Sequence, residues 1–363
     1  MPTRKRPPAT VTIDLALQGG GSHGAFTWGV LDRLLEDERV GFDGVSGASA
    51  GALNAAVLAT GYARGGRSGA RDALAAFWHD VAGGGGCFGG VAAAGNPMAA
   101  AVPFNPFGLA AFNLDFNPAY AWFNQLLRSF GPSQFNPYDL NLLRDVAARH
   151  VDADAMRRGP LSLFITATSV HTGQPRVFSG DELSLEALLA SACLPQLFRP
   201  VLIDGEPFWD GGYSGNPAIW PLIYNTAALD IVLVKINPLV RPHTPESSDE
   251  IADRVNEITF NAGLISEMRA IDFVQRLIVQ GRISAGEYKH LRLHMVADED
   301  GLAPLHPSSK LNTDLRFLQT LHGLGRDAAE RWLAAHRQDI GVRSSLDIRK
   351  TFLRPVEGPR RRA

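Results

Sequence analysis

Val40-Gly41-Phe42-Asp43-Gly44-Val45-Ser46-Gly47-Ala48-Ser49-Ala50-Gly51 reads as a buried strand that turns at a serine into the helix beginning Ala52-Leu53-Asn54-Ala55. A serine with glycine two residues to either side meets the demands of a nucleophile elbow, a strained strand-to-helix turn where flanking Cβ atoms would strike their neighbours. Gly47 and Gly51 leave that room, and the Ser49 hydroxyl points into open space. Gly-x-Ser-x-Gly alone is a cheap pattern, so its surroundings carry the argument.

Upstream, Val11 to Leu17 reads as a buried strand, followed by the loop Gly19-Gly20-Gly21 and a helix with apolar positions at Phe26, Val30, Leu31, Leu34 and Leu35. Strand, glycine loop, helix, strand, elbow and helix within sixty residues imply a parallel sheet with helices on its faces. Further strands are expected at Leu161 to Ser169, Ile231 to Ile236 and Tyr288 to Ala297. A hairpin is expected around Asp204-Gly205, its second arm running into Asp210-Gly211-Gly212. After Pro245 the pattern is mainly helical and reads as packing surface.

The chain has 363 residues, 45% hydrophobic and 20% charged, with net charge -2, which suits a well-cored globule and gives no global reason to expect nucleic acid. Cys87 and Cys193 are too few and too isolated for a disulfide framework or a zinc knuckle. No signal-peptide core and no run of about eighteen apolar residues is present, so the expected location is cytoplasmic, with peripheral contact at a membrane left open. Residues 1–10 and 356–363 read as flexible basic tails. Residues 83–119, with Gly83-Gly84-Gly85-Gly86 and the repeated Phe104-Asn105-Pro106 and Phe116-Asn117-Pro118, read as a lid or as a glycine-rich insertion packed outside.

Gly19-x-Gly21-x-x-Gly24 formally satisfies a dinucleotide-binding fingerprint, with Asp43 about twenty residues on. A glycine loop at a helix N-terminus holds any developing negative charge, however, and an oxyanion is one. The neighbouring serine elbow favours that second use, because acyl transfer needs a nucleophile and N–H donors about 3 Å from the carbonyl oxygen. A base is also needed. A conventional Ser-His-Asp hydrolase would draw on His243, His290, His294, His306, His322 or His336, none in a convincing turn after a strand. Asp210 is better placed, closing a strand after Phe208 and Trp209, where partial desolvation would raise its pKa; it also reads as a plain turn aspartate.

Taken together, Gly19-Gly20-Gly21-Ser22-His23-Gly24, the Ser49 elbow, Ala190-Ser191 to Pro195 with Phe198-Arg199-Pro200, and Asp210-Gly211-Gly212 resemble the patatin-like phospholipases, a family of Ser-Asp dyad lipid acyl hydrolases. The resemblance implies an α/β fold, a patatin-like α/β/α sandwich with a mainly parallel central sheet. It implies a catalytic domain over 11–240 and a mainly helical extension, 241–355, packed on the same core. It implies Ser49 as nucleophile and Asp210 as base, with Gly19, Gly20 and Gly21 as oxyanion donors, and Gly24, Gly47, Gly51, Gly211 and Gly212 supporting elbow and loop. The expected activity is carboxylic ester hydrolysis on a phospholipid, lysolipid or neutral acyl ester, without metal or organic cofactor. A non-catalytic acyl-lipid binding protein of the same fold is the alternative outside enzymes. Where the family loop commonly has Arg or Lys this chain has His23, expected to be partly charged near neutral pH. Oligomeric state is not legible.

Overall fold

The computed structural model describes residues 10–85, 108–115, 117–284 and 286–353. Most of the expected lid at 83–119 and nearly all of both basic tails lie outside them.

Eight strands form one mixed sheet: β1 (Val11–Leu17), β2 (Val40–Ala48), β3 (Ser162–Ser169), β4 (Pro175–Phe178), β5 (Val201–Ile203), β6 (Glu206–Asp210), β7 (Asp230–Val234) and β8 (Arg292–Val296). Their order is β5-β6-β3-β2-β1-β7-β8, with β4 paired to β3. The pairs from β3 through β2, β1 and β7 to β8 are parallel, whereas β4, β5 and β6 join antiparallel. Parallel strands are covered on both faces, which is why β1 and β7 are nearly continuous apolar runs. The hairpin between β5 and β6 turns at Asp204 and Gly205, both at positive φ.

Alternation along the strands assigns the two faces. Leu15, Leu17, Val232 and Val234 pack with α1 (Gly24–Leu35) and α2 (Ala50–Asp80) in one apolar cluster. Ala16, Ile231 and Leu233 pack with Leu264, Met268 and Ile271 of a long later helix in a second. The chain is thus an α/β/α sandwich with a mainly parallel sheet.

Further helices cover the first face, two of them bearing on the site. The short α3 (Leu185–Ser191) runs under the elbow, capped by Ser184, whose Oγ accepts from Ala187 N–H at 3.1 Å. The long helix of the second face, α4 (Ser248–Val279), starts with a capping box: Ser247 Oγ accepts from Glu250 N–H at 3.2 Å, and Glu250 accepts from Ser247 N–H at 3.0 Å. α5 (Leu315–His336) lies on α1. Gly29 and Gly325 face each other across that contact, where an added Cβ would come within 3.0 Å of the other helix's backbone. Asp32 of α1 receives Arg71 of α2 at 2.6 Å and both Arg326 and His322 of α5, a network of charges on three helices. The region after 240 therefore contributes strand β8 to the sheet and covers both faces. No helix among the described residues is long and apolar enough to cross a membrane.

Candidate active site

Ser49 stands between β2 and α2 at φ +54, ψ -125, a backbone conformation that costs a non-glycine residue about 1–3 kcal/mol. Its surroundings hold it there: the Ser49 N–H donates to Ser191 Oγ at 2.9 Å, and its carbonyl accepts from Leu53 N–H at 3.1 Å. Gly51 passes so close to β1 that a Cβ would sit 2.9 Å from the Gln18 carbonyl oxygen, and a Cβ on Gly47 would strike Gly51 itself.

Asp210 ends β6 on the same side of the sheet. Its N–H donates to the Cys193 carbonyl at 2.8 Å and its carbonyl accepts from Thr168 Oγ1 at 2.8 Å, so its backbone is fixed. Carboxylate Oδ1 accepts from Gly212 N–H at 2.7 Å, while Oδ2 is buried without a hydrogen-bond partner among the described residues. Burial pushes the Asp210 pKa up to about 7, countered by the Ser49 hydroxyl, the Gly212 N–H and the charge of Lys310. The Ser49 hydroxyl is thus close enough to Asp210 to pull its pKa down. Gly211 packs on the Thr166 backbone of β3 and Gly212 on the Phe260 ring.

The loop Gly19-Gly20-Gly21 runs beside the elbow. Gly21 lies at φ +57, the left-handed region that favours glycine, and backs onto Lys310. Gly24, at the start of α1, packs on Ala50 and Trp78. A buried amide set holds the loop: Gln18 Oε1 accepts from Ile236 and Asn237 N–H, both at 2.9 Å, and Asn237 Nδ2 donates to the Gly19 carbonyl at 2.7 Å. The three expected donors are not equivalent. Gly19 N–H is taken by Asn216 Oδ1 at 2.6 Å, whereas no described residue accepts from Gly20 or Gly21 N–H, and both glycines line the cavity over Ser49. Two donors, not three, are therefore open to a ligand.

Gly19 shows how tight this contact is, since a Cβ there would lie 2.6 Å from Ser49 Cβ and 3.0 Å from the Ala48 carbonyl carbon. Gly19→Ala is expected to destabilise the fold by about 1–3 kcal/mol and to displace the serine, lowering kcat; denaturant unfolding beside ester turnover measures both.

His23 is a correction to the sequence reading. It is 4% exposed, with Nε2 2.8 Å from Ser309 Oγ, and burial with the charges of Lys310 and Arg241 lowers its pKa to about 3. Its ring is neutral at physiological pH and does not line the cavity over Ser49. The cation near the loop comes instead from the region after Pro245: Lys310, whose Nζ donates to Asn237 Oδ1 at 2.9 Å and lies 5.6 Å from the Phe260 ring centroid. That region was expected to be packing surface, yet α4 and Lys310 line the cavity. Asp43, the acid of the dinucleotide fingerprint, is committed to the N–H groups of Ala227 and Ala228 at 2.7 and 3.1 Å.

None of the late histidines has Ser49 as a hydrogen-bond partner among the described residues. His294 pairs with Asp230 and Ser345, His306 with Asp115, His322 with Asp32 and His336 with Asp339, while His243 and His290 are exposed. Cys193 is buried, its thiol pushed up to about 12, and is not poised to react. No group of three or more His, Cys, Asp or Glu side chains set to hold a metal ion occurs among the described residues.

The cavity over Ser49 measures about 670 Å³. One wall is apolar, made by Leu53, Phe77, Trp78 and Val81 of α2 and its end, with Leu194 and Leu197. The lining from α4 and the segment before α5 mixes Asp253, Asn256, Thr259, Lys310 and Thr313 with the apolar Val255, Phe260 and Leu311. The expected apolar contribution of 83–119 falls mostly on undescribed residues; Phe112, within that segment, stacks on Phe317 of α5.

Over residues 15–223 the chain matches the family described as Patatin-like phospholipase. Among solved structures it is similar to the crystal structure of VipD from Legionella pneumophila, at 16% identity and a TM-score of 0.39 over 93% of this chain and 72% of that one. No curated protein matches the chain.

Proposed function

Because this chain belongs to the patatin-like phospholipase family, we propose that it hydrolyses lipid acyl esters through a Ser49-Asp210 dyad and an acyl-serine intermediate. The observation that carries this reading is the nearness of a serine held at φ +54 to a buried carboxyl whose second oxygen has no hydrogen-bond partner among the described residues. Ser49 Oγ attacks the ester carbonyl carbon while its proton passes to Asp210. The N–H groups of Gly20 and Gly21, with the N-terminus of α2, hold the tetrahedral oxyanion. Asp210 returns the proton to the departing alcohol. It then takes a proton from the water that attacks the acyl-serine carbonyl, and as the C–Oγ bond breaks and the carboxylic acid leaves it returns that proton to Ser49 Oγ.

The apolar α2 lining supports an acyl chain there, and the polar groups within the mixed α4 lining support a polar substituent beside them. A buried methylene is worth about 0.8 kcal/mol, so kcat/KM should rise roughly 3- to 4-fold per added carbon until the wall is filled. Turnover of a p-nitrophenyl acyl ester series, a lysophospholipid and a diacyl phospholipid tests the reading. A chain-length optimum supports it; absence of turnover on every ester sinks it.

A further inference from the structure

Lys310 lies in a short turn, Pro307–Leu311, far along the chain from the elbow, yet its side chain enters the cavity that holds Ser49. Its Nζ lies over the Phe260 ring of α4, 5.6 Å from the centroid, and reaches Asn237 Oδ1 at 2.9 Å, while its carbonyl lies behind Gly21. Asn237 is the residue that anchors the Gly19 carbonyl, so the ammonium stands beside the oxyanion loop. The facing charges come from several elements. Glu257 of α4 is committed to Arg241 at 2.7 Å and Arg254 at 3.0 Å; Asp253 lines the same cavity, and the buried Asp210 is near enough to act on Lys310 through its charge. Burial and, less strongly, the charge of Arg241 lower the Lys310 pKa from the ordinary lysine range, while Glu257, Asp253 and Asp210 favour its charged form. An ammonium has three N–H donors, and one hydrogen bond to a neutral amide oxygen leaves two for a ligand.

We propose that Lys310 is a specificity-determining residue that receives the phosphate of a phosphate-bearing acyl ester while the ester carbonyl lies at Gly20, Gly21 and Ser49. This inference rests on the acyl-ester reading of the same site and adds to it the side chain that selects for phosphate. A compact, strongly hydrated ammonium suits a phosphate oxygen as a point charge, and the polar groups of the mixed lining around it receive the head group while the α2 lining receives the acyl chain. The C-terminal region thus supplies the charge that the buried, neutral His23 does not.

The test compares wild type, Lys310→Met and Lys310→Arg on a lysophosphatidylcholine and a monoacylglycerol of the same chain length. The ratio of their kcat/KM values should fall about 10- to 100-fold in Lys310→Met, chiefly through KM of the phospholipid, and recover most of the way in Lys310→Arg. An equal fall on both substrates overturns the proposal, because Lys310 would then serve the ester chemistry or the fold. Binding gives a second readout that needs no turnover. Calorimetric titration with dodecylphosphocholine, which has no ester, and with the neutral ether dodecylglycerol should show a preference for the first in wild type that Lys310→Met loses. If wild type hydrolyses no ester, this preference and its loss still support the Lys310 site while the dyad reading fails; a missing preference overturns the Lys310 site itself. Inorganic phosphate is the remaining arm, and binding as tight as that of dodecylphosphocholine would assign the site to a free anion instead.

Discussion

Ser49→Ala is expected to abolish acyl-ester hydrolysis, a fall of about 10⁵-fold or more in kcat, with little change in the fold. The substitution keeps the Cβ that the elbow already accommodates and removes only the hydroxyl. The backbone bonds to Ser191 and Leu53 do not involve that hydroxyl, so the turn at φ +54 has the same support in the variant. A serine-directed fluorophosphonate gives the complementary measurement: wild type should gain one adduct on the peptide carrying Ser49, and Ser49→Ala should gain none. Residual turnover above about 1% in the variant, or an adduct elsewhere, would move the nucleophile to another residue.

The parts of the site that are legible in the sequence are those whose geometry is local. The elbow needs glycines at fixed offsets from Ser49, and the hairpin arm ending in Asp210-Gly211-Gly212 announces its turn through Asp204-Gly205; these offsets survive in any reading of the chain. The core strands are legible for a similar reason, because burial on both faces leaves uninterrupted apolar runs such as Ile231 to Val234. Lys310 is illegible for the opposite reason. It reaches the glycine loop only because β8 pairs with β7 and α5 packs on α1, which carries residues 297–314 past the C-terminal ends of the parallel strands. No periodicity in Pro307–Leu311 encodes that approach. Asn216 is a similar case, since nothing near it in the chain signals that its side chain takes the Gly19 N–H. His23 misleads because an ordinary histidine pKa assumes solvent, and at 4% exposure desolvation decides its charge. The helix α4 shows the limit of pattern reading, as one face packs Leu264 and Met268 into the core while Asp253, Asn256 and Phe260 line the cavity.

Asp210→Asn is expected to lower kcat/KM about 10³-fold and, at the same time, to stabilise the protein at alkaline pH. The amide cannot take the serine proton, but its Oδ1 can still accept from Gly212 N–H, so the local structure is retained. The stability gain follows from linkage. The folded carboxyl has a pKa of about 7, above the ordinary aspartate value of the unfolded chain, so between about pH 4 and pH 7 the folded state binds more protons than the unfolded one. Wild-type stability therefore falls as pH rises through that window, and above it the buried charge costs at most about 4 kcal/mol. The variant has no such charge: its advantage should be full at pH 8, shrink on acidification and vanish near pH 4. Asp14 and Glu267, also raised to about 7 by burial, titrate in the same direction in both proteins, so the difference between the two melting curves isolates Asp210. The same ionisation sets the wild-type rate, because a base must be deprotonated to act; kcat/KM should lose activity on an acid limb near pH 7. Thermal melts and initial rates from pH 5 to pH 8 measure both effects. A wild-type profile flat down to pH 5, or a variant of full activity, would assign proton transfer to another group, and the buried, destabilising carboxylate would then have no part in turnover.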